Sequence, residues 1–311
     1  MLLASSWTRF WLNTSAPDGA LFPITWLAFA ACSAIWGSTF LVISVANDTV
    51  PPFWGVTLRL VIAGIVLAVA ALVTGQGLPT GKARAHAIAY GVLQFGGAFP
   101  LLYWGEKRVP SGLAAVLYAT VPLSSALLSH WLRIESVTRK RVFGAVISLA
   151  GVAVIFSGEL SRAVPLPALL ACLASTLAAV CASLSFKAGP RQGVLGANAV
   201  ACAAAIPINF VISALAHESH ALPSGPGSWF AVLYLALAGS VGAFVLWTWL
   251  VSHGSVTKLS FIAVLVPLIA LTLGTLVHHE HLAPASLLGG LVVLVGVAVG
   301  LELGSRTGGA H

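Results

Sequence analysis

Charge is what this sequence lacks most. Of its 311 residues only 7% are charged, against 59% hydrophobic, and the mean hydropathy is +0.99. A soluble domain carries roughly 25% charged residues. The chain therefore cannot dress a water-facing surface and is read as an integral membrane protein of many spans. Carboxylates are scarcer still. The eight are Asp18, Asp48, Glu106, Glu135, Glu159, Glu218, Glu280 and Glu302, all in loops or near the ends of apolar runs. The four cysteines, Cys32, Cys172, Cys181 and Cys202, sit inside apolar runs without CxxC spacing. That argues against a disulfide framework or a thiolate metal site and leaves small packing residues. No nucleophile–base set or carboxylate pair stands out, so no enzyme activity is expected. An ATP motor is missing too: Gly75 to Ala83 resembles a phosphate-binding loop, but the glycine spacing fails and Ala83 replaces the metal-binding hydroxyl. No cofactor is expected. The net charge of +7 is spread over the ends of apolar runs and forms no patch, so nucleic acid is not expected as a partner.

What is present is a series of apolar runs about 20 residues long, the length of a membrane-crossing helix. Pro, Gly and charged clusters divide the chain into ten, roughly 24–46, 53–74, 86–104, 111–132, 140–157, 166–186, 194–215, 228–250, 256–277 and 285–303. Helices follow from the run lengths and from the need to satisfy every backbone group within its own segment. With the N-terminus inside, the inner segments carry Arg9, Lys82, Arg84, Arg133, Arg139, Lys140, Arg141, Lys187, Arg191, Lys258 and Arg306. The outer loops carry Lys107, Arg108 and Arg162, and Arg59 lies within the second run. This asymmetry predicts that both termini are cytoplasmic. Residues 1–23 are expected to be a cytoplasmic tail, and so are residues 304–311.

The second half repeats the first with a shift of 145 residues. Val121-Pro122 falls on Val266-Pro267, Glu135 on Glu280, Gly144 on Gly289, and Gly151-Val152-Ala153-Val154 on Gly296-Val297-Ala298-Val299. Upstream, Gly97-Ala98-Phe99 falls on Gly242-Ala243-Phe244, Trp104 on Trp249 and Ser38 on Ser183. Similar composition yields scattered matches by chance, but not the string Pro-x12-Glu-x8-Gly-x6-Gly twice. Each copy, 24–157 and 166–303, holds five runs. An odd number makes the second copy enter the membrane from the opposite side, so the expected fold is all-α, ten transmembrane helices as two inverted five-helix repeats. Inverted repeats suit alternating access about a central site.

Trp36-Gly37-Ser38-Thr39-Phe40 in the first run resembles the entry motif of EamA-type proteins, as does Arg59 after Pro51-Pro52. With the doubled Pro–Glu–Gly–Gly string, these features make the chain similar to the drug/metabolite transporter superfamily. Within it the chain looks most like the YddG-type exporters of aromatic amino acids. The resemblance implies a central cavity, a bacterial inner (plasma) membrane location and export of small metabolites. The second half departs from the first: Ala204 stands where Arg59 would recur, and Cys181-Ala182 where Trp36-Gly37 would.

Helical spacing places His86, Tyr90, Gln94, Gly97 and Leu101 on one face of the third run. A mid-membrane amide facing lipid would lose its hydrogen bonds, so Gln94 should face a cavity or another helix. The fourth run has the stripe Ser111, Tyr118, Pro122, Ser125 and Ser129, whose counterparts Val256, Ala263, Pro267, Ala270 and Gly274 are small and apolar. A cavity between them would be polar and aromatic on one side and smooth on the other, suited to an amphipathic ligand. Gln94, Tyr118, Tyr90, Trp36, Trp247 and Ser125 are the candidate substrate contacts; interhelical hydrogen bonding is the other reading of the polar ones. Arg59, Pro122, Pro267, Glu135 and Glu280 are read as gating or structural. The missing buried carboxylate favours facilitated diffusion over ion coupling. The expected function is export of aromatic or neutral amino acids through this cavity; a drug or nucleoside-like metabolite exporter, possibly proton-coupled, and a channel are the alternatives. The expected partners are a small amphipathic metabolite and the lipid bilayer, with the protein a monomer or a weak homodimer.

The stretch His278-His279-Glu280-His281 has the look of a ligand cluster. The repeat argues otherwise, because only the Glu recurs. Glu135 and Glu280 are expected to meet the N-terminus of the helix that follows each of them, and no functional metal is expected.

Overall fold

A computed structural model describes residues 18–47, 49–109, 111–160, 163–278 and 284–302. Residues 1–17 of the expected tail 1–23, the whole expected tail 304–311, and His279, Glu280 and His281 lie outside the described residues, while residues 18–23 are helical rather than tail. Helix is the one regular secondary structure among those described. The first elements are α1 (Asp18–Asn47), α2 (Pro52–Val73), and α3 (Gly81–Gly91), which continues through a π-helical stretch (Val92–Ala98) into α4 (Phe99–Glu106). α5 (Ser111–Tyr118) and α6 (Val121–Trp131) follow, then α7 (Arg139–Ile155), α8 (Ser157–Leu160), α9 (Leu166–Ala188) and α10 (Val194–Leu215). α11 (Pro226–Tyr234) runs through a second π stretch (Leu235–Gly242) into α12 (Ala243–His253), and α13 (Val256–Leu259), α14 (Ile262–His278) and α15 (Pro284–Gly300) complete the chain.

Seven helical segments among the described residues are long and apolar enough to cross a membrane: Pro52–Val73, Gly81–Gly105, Leu113–Trp131, Leu166–Ala188, Val194–Leu215, Pro226–His253 and Val256–Leu273. Pro284–Gly300 is a shorter apolar helix. The expected runs 24–46 and 140–157 are helical as well, in α1 and α7.

α7 packs closely along α15, and the chemistry of the contact is glycine. A Cβ on Gly144 would lie 2.6 Å from the Gly296 carbonyl oxygen, and one on Gly151 would lie 2.8 Å from that of Gly289. Ser148 Oγ donates to the Val293 carbonyl at 3.5 Å, between the two glycine contacts. Without side chains in the way, the backbones approach closely enough for dispersion and carbonyl contacts to hold the pair where lipid offers no hydrophobic drive. The register is reciprocal: Gly144 meets the counterpart of Gly151, Gly151 meets the counterpart of Gly144, and Ser148 meets its own counterpart. α2 packs along α10, its counterpart under the same shift.

The turns between helices carry carboxylates across the molecule. Arg133, with φ 54°, ends α6 in a left-handed turn, with Ile134 N–H donating to Ser129 O and Arg133 N–H to His130 O. Glu135 follows. Its carboxylate does not cap the next helix, α7, where Thr138 fills the cap and accepts from Arg141 N–H. It reaches the start of α13 instead, accepting from Val256 N–H at 2.6 Å, Thr257 N–H at 3.2 Å and the hydroxyls of Ser255 and Thr257. The expected role, a carboxylate at a positive helix end, is present, but the helix is one 121 residues away. His217, with φ 53°, makes the same turn after α10. There Glu218 accepts from Phe53 N–H at 3.3 Å and Trp54 N–H at 2.8 Å at the start of α2.

Candidate functional site

The interior of the bundle holds a cavity of about 120 Å³. Its aromatic wall is built from both halves. Trp36 of α1 sits 5.2 Å from Phe244 and 5.5 Å from Trp247, both of α12. Trp247 Nε1–H donates to Ser183 Oγ of α9 at 3.2 Å, which fixes the indole plane. The entry motif around Trp36 divides its labour. Trp36 and Thr39 line the cavity, a Cβ on Gly37 would collide with Ile269 of α14, and the Ser38 hydroxyl pairs with that of Tyr234 at 2.6 Å.

Gln94 lines the cavity from the first π stretch and is 5% exposed. Pro100 has no N–H to give a carbonyl in the preceding turn. The carbonyl of Phe95, five residues earlier, accepts from Asn209 Nδ2 of α10 at 2.9 Å instead. The wider π turn changes the phase of the helix. Gln94 lines the cavity and Tyr90 does not, although their spacing places them near one face. Tyr90 is fully buried against Phe95 and Phe186 at ring distances of 5.8 and 5.3 Å and is not among the cavity-lining residues.

Tyr118 and Ser125 line the cavity from the fourth run, and the fully buried Ser125 Oγ has no hydrogen-bond partner among the described residues. Beside them Val256, Ile262, Ala263 and Val266 form a smooth aliphatic wall. Pro122 is buried outside the lining, opening α6 after a break at Ala119-Thr120, while Pro267 lies inside α14 beside a small side pocket that it shares with Tyr118. Glu135 lies outside the cavity, at the α13 cap, and Glu280 is outside the described residues.

Arg59 faces the cavity, about two turns into α2, and is only 4% exposed. A cation near a helix centre costs about 2.5–3.5 kcal/mol on the insertion scale unless it is compensated. Arg59 Nε–H donates to Ser240 Oγ at 2.5 Å, the guanidinium stands 5.0 Å from the centre of the Phe99 ring, and the Tyr103 side chain hydrogen-bonds it. Among the described residues no carboxylate lies within ion-pair distance of it. Arg59 and Tyr103 also line a second, smaller cavity that runs beside Val50 and Pro52 at the start of α2.

Sequence reasoning missed Phe99, Phe244, Thr39, Tyr103 and Ser183 as lining residues. The repeat held a signal for two of them, since Phe99 and Phe244 occupy matching positions and both face the cavity. Thr39 is one turn after Trp36, Tyr103 one turn after Phe99, and Ser183 the counterpart of Ser38.

The EamA-like transporter family matches residues 24–157 and, a second time, residues 165–301. The chain belongs to this family. A relative described as "Uncharacterized inner membrane transporter YedA" in Escherichia coli strain K12 is 33% identical over 278 residues, 88% of this chain and 90% of that protein. One described as "Uncharacterized transporter YoaV" in Bacillus subtilis strain 168 is 27% identical over 281 residues, 87% of this chain and 94% of that one. A "Probable terminal-alkyne amino-acid exporter" of Streptantibioticus cattleyicolor is 28% identical over 264 residues, 84% of this chain and 88% of that protein. A solved crystal structure of a protein shares the fold, with a TM-score of 0.79 and 23% identity over 92% of this chain and 99% of that one.

Proposed function

We propose that this EamA-like transporter is a bacterial inner-membrane exporter of small amphipathic metabolites, aromatic or neutral amino acids foremost. The observation that carries the reading is the composition of the cavity. Trp36, Phe244 and Trp247 offer flat faces to an aromatic or apolar side chain, and Gln94, Tyr118 and Ser125 offer polar groups to its other end. Concave, mostly apolar sites with a few convergent polar groups are the usual form of small-molecule sites. The inner-membrane and amino-acid-exporter descriptions of relatives support the same reading.

In this reading the two family matches are inverted five-helix repeats, approximately 24–157 and 166–303, with both termini cytoplasmic. The reciprocal register of α7 against α15 supports a two-fold relation between the halves, since only such an axis pairs each residue with its partner's counterpart. The same contact uses the glycine stripes inside one chain, so a monomer suffices. Glu135 and Glu218 would then fasten the halves together at opposite membrane faces. Exchange of these contacts would open the cavity to one side at a time. No Asp or Glu lines the cavity among the described residues, which supports facilitated diffusion.

The test is counterflow into proteoliposomes: vesicles loaded with unlabelled phenylalanine should accumulate labelled phenylalanine transiently and saturably, with or without a proton gradient. Absence of saturable flux would overturn the transport reading. Strict dependence on the gradient would overturn facilitated diffusion, and flux linear in concentration would make the protein a channel.

A further inference from the structure

We infer that Arg59 is the receptor for a single carboxylate, so that the ligand of the central cavity is an organic monoanion or a zwitterion with a flat apolar body, and an amphipathic cation is excluded. The inference rests on the proposed transport through this cavity and specifies what the cavity selects.

The argument begins with charge. Among the described residues Arg59 is the one Lys or Arg in the cavity lining, it is 4% exposed, and no Asp or Glu lines the cavity with it. Its partners Ser240, Tyr103 and Phe99 are all neutral. A buried guanidinium is normally matched by an anion, because neutral dipoles alone do not replace the water it has lost. Here the protein supplies none among the described residues, so the vacant role falls to the ligand. Guanidinium carries five N–H donors in a planar fork. Nε–H is engaged by Ser240, which orients the plane, and Tyr103 takes one further donor, so the fork keeps donors at its terminal nitrogens for a carboxylate.

One cation implies one negative charge. A dianionic phosphate would leave an unmatched charge in an apolar cavity, while a carboxylate balances it. The remaining polar groups are neutral: Ser125 Oγ is buried without a partner, and Gln94 adds a carbonyl oxygen as an acceptor. These serve an ammonium that already carries its own carboxylate, but they give a lone cation nothing to offset repulsion from Arg59 at short range in a low dielectric. Position reinforces the assignment. Arg59 and Tyr103 line both the central cavity and the small one beside Pro52, so a ligand passing between the two passes the guanidinium.

Four ligands with one ring and different charge test this: L-phenylalanine, 3-phenylpropionate, phenylalanine methyl ester and phenethylamine. Each is titrated against labelled L-phenylalanine bound to the full-length protein in detergent, and again as a competitor of counterflow. The two acids should compete at least ~10-fold better than the ester and the amine, as expected where a site built to bond a group meets analogues lacking it. Arg59→Gln should collapse that ratio towards one, and Arg59→Lys should restore part of it by keeping the charge without the fork. Gly239→Ala provides a variant with the charge intact, because its Cβ would lie 3.2 Å from Arg59 Nη2 and 3.0 Å from Thr39 Cγ2. It should weaken the acids more than the ester. Equal competition by the ester and the acid in the unaltered protein would overturn the inference, and so would an unchanged ratio in Arg59→Gln. Acid-selective binding without flux would overturn transport and leave Arg59's role standing. Unselective flux would do the reverse, and no binding of any of the four would overturn both.

Discussion

Glu135 accepts a hydrogen bond from the backbone N–H of Val256 at 2.6 Å, joining the end of α6 to the start of α13 across 121 residues of sequence. Thr257 N–H and the Ser255 and Thr257 hydroxyls converge on the same carboxylate. Lys187 adds to the clasp by donating to the Val251 and Gly254 carbonyls at the end of α12. One segment, 251–257, is therefore held at both its exposed acceptors and its exposed donors.

Glu135→Gln keeps the shape but replaces charge-assisted bonds with neutral ones and points an amide N–H at other donors. The expected loss is about 1–3 kcal/mol, read as a lower melting temperature in detergent. If the clasp closes one face of the cavity, the variant should also shift accessibility of a cysteine placed at Val256. Glu218→Gln should show a loss of similar size through the α2 cap, where Phe53 and Trp54 donate. A silent Glu135→Gln would refute the capping assignment.

The clasp shows what the sequence can and cannot tell. The doubled string marked Glu135 as significant because a carboxylate recurred at the same offset from Pro and Gly. The residues that bond it are distant in sequence, and local helix-capping rules pointed to α7, which Thr138 already serves. Composition made the all-helical fold legible, because an apolar run in lipid has to satisfy its backbone internally. The cavity was partly legible: Gln94, Tyr118, Ser125, Trp36 and Trp247 all face it. Tyr90 does not, because its ring packs against Phe95 and Phe186, a long-range contact that helical spacing does not foresee. Arg59 faces the cavity from within α2, and the sequence gives no sign of whether a residue six positions into a span faces lipid, protein or a cavity.

The α7–α15 contact gives a second prediction. A Cβ on Gly151 would lie 2.6 Å from the Val293 backbone nitrogen and 2.8 Å from the Gly289 carbonyl oxygen. These are backbone atoms, which cannot rotate away. Gly151→Ala should force the helices apart at a cost of about 1–3 kcal/mol, the range for overpacked interiors, measurable as a lower melting temperature. Gly158→Ala is the control: nothing lies within 4 Å of its Cβ position, and stability should hold.

Glu302 supplies a dependence on pH. The Thr138 hydroxyl donates to it at 2.7 Å, and Lys258 and Arg141 stand at 3.5 and 3.8 Å. The Thr138 bond, aided by these cations against a smaller opposing effect of burial, holds the Glu302 carboxyl below its ordinary range. A depressed carboxylate contributes stability above its unfolded pKa and loses it as pH falls through the folded value. The group is partly exposed, so the contribution is at most about 1 kcal/mol. The unaltered protein should lose its margin over Glu302→Gln between neutral pH and the acid side of the carboxylate range. A margin that is constant with pH would show that Glu302 acts by shape alone.

The aromatic wall separates binding from structure most cleanly. Trp247 is held by its N–H to Ser183 Oγ at 3.2 Å and by its ring against Trp36 at 5.5 Å. Trp247→Phe removes the first hold and keeps an aromatic face. Trp36→Ala removes the surface against which a flat ligand would stack. If the wall binds substrate, Trp36→Ala should raise the KM for phenylalanine counterflow about 10-fold, in keeping with roughly 1.4 kcal/mol of lost stacking and apolar contact. Trp247→Phe should raise it less, because the ring survives while its orientation loosens. The double variant should fall short of the sum, since each ring positions the other. A change in maximal rate with KM unmoved would assign the pair to helix packing, and the wall would then be structural.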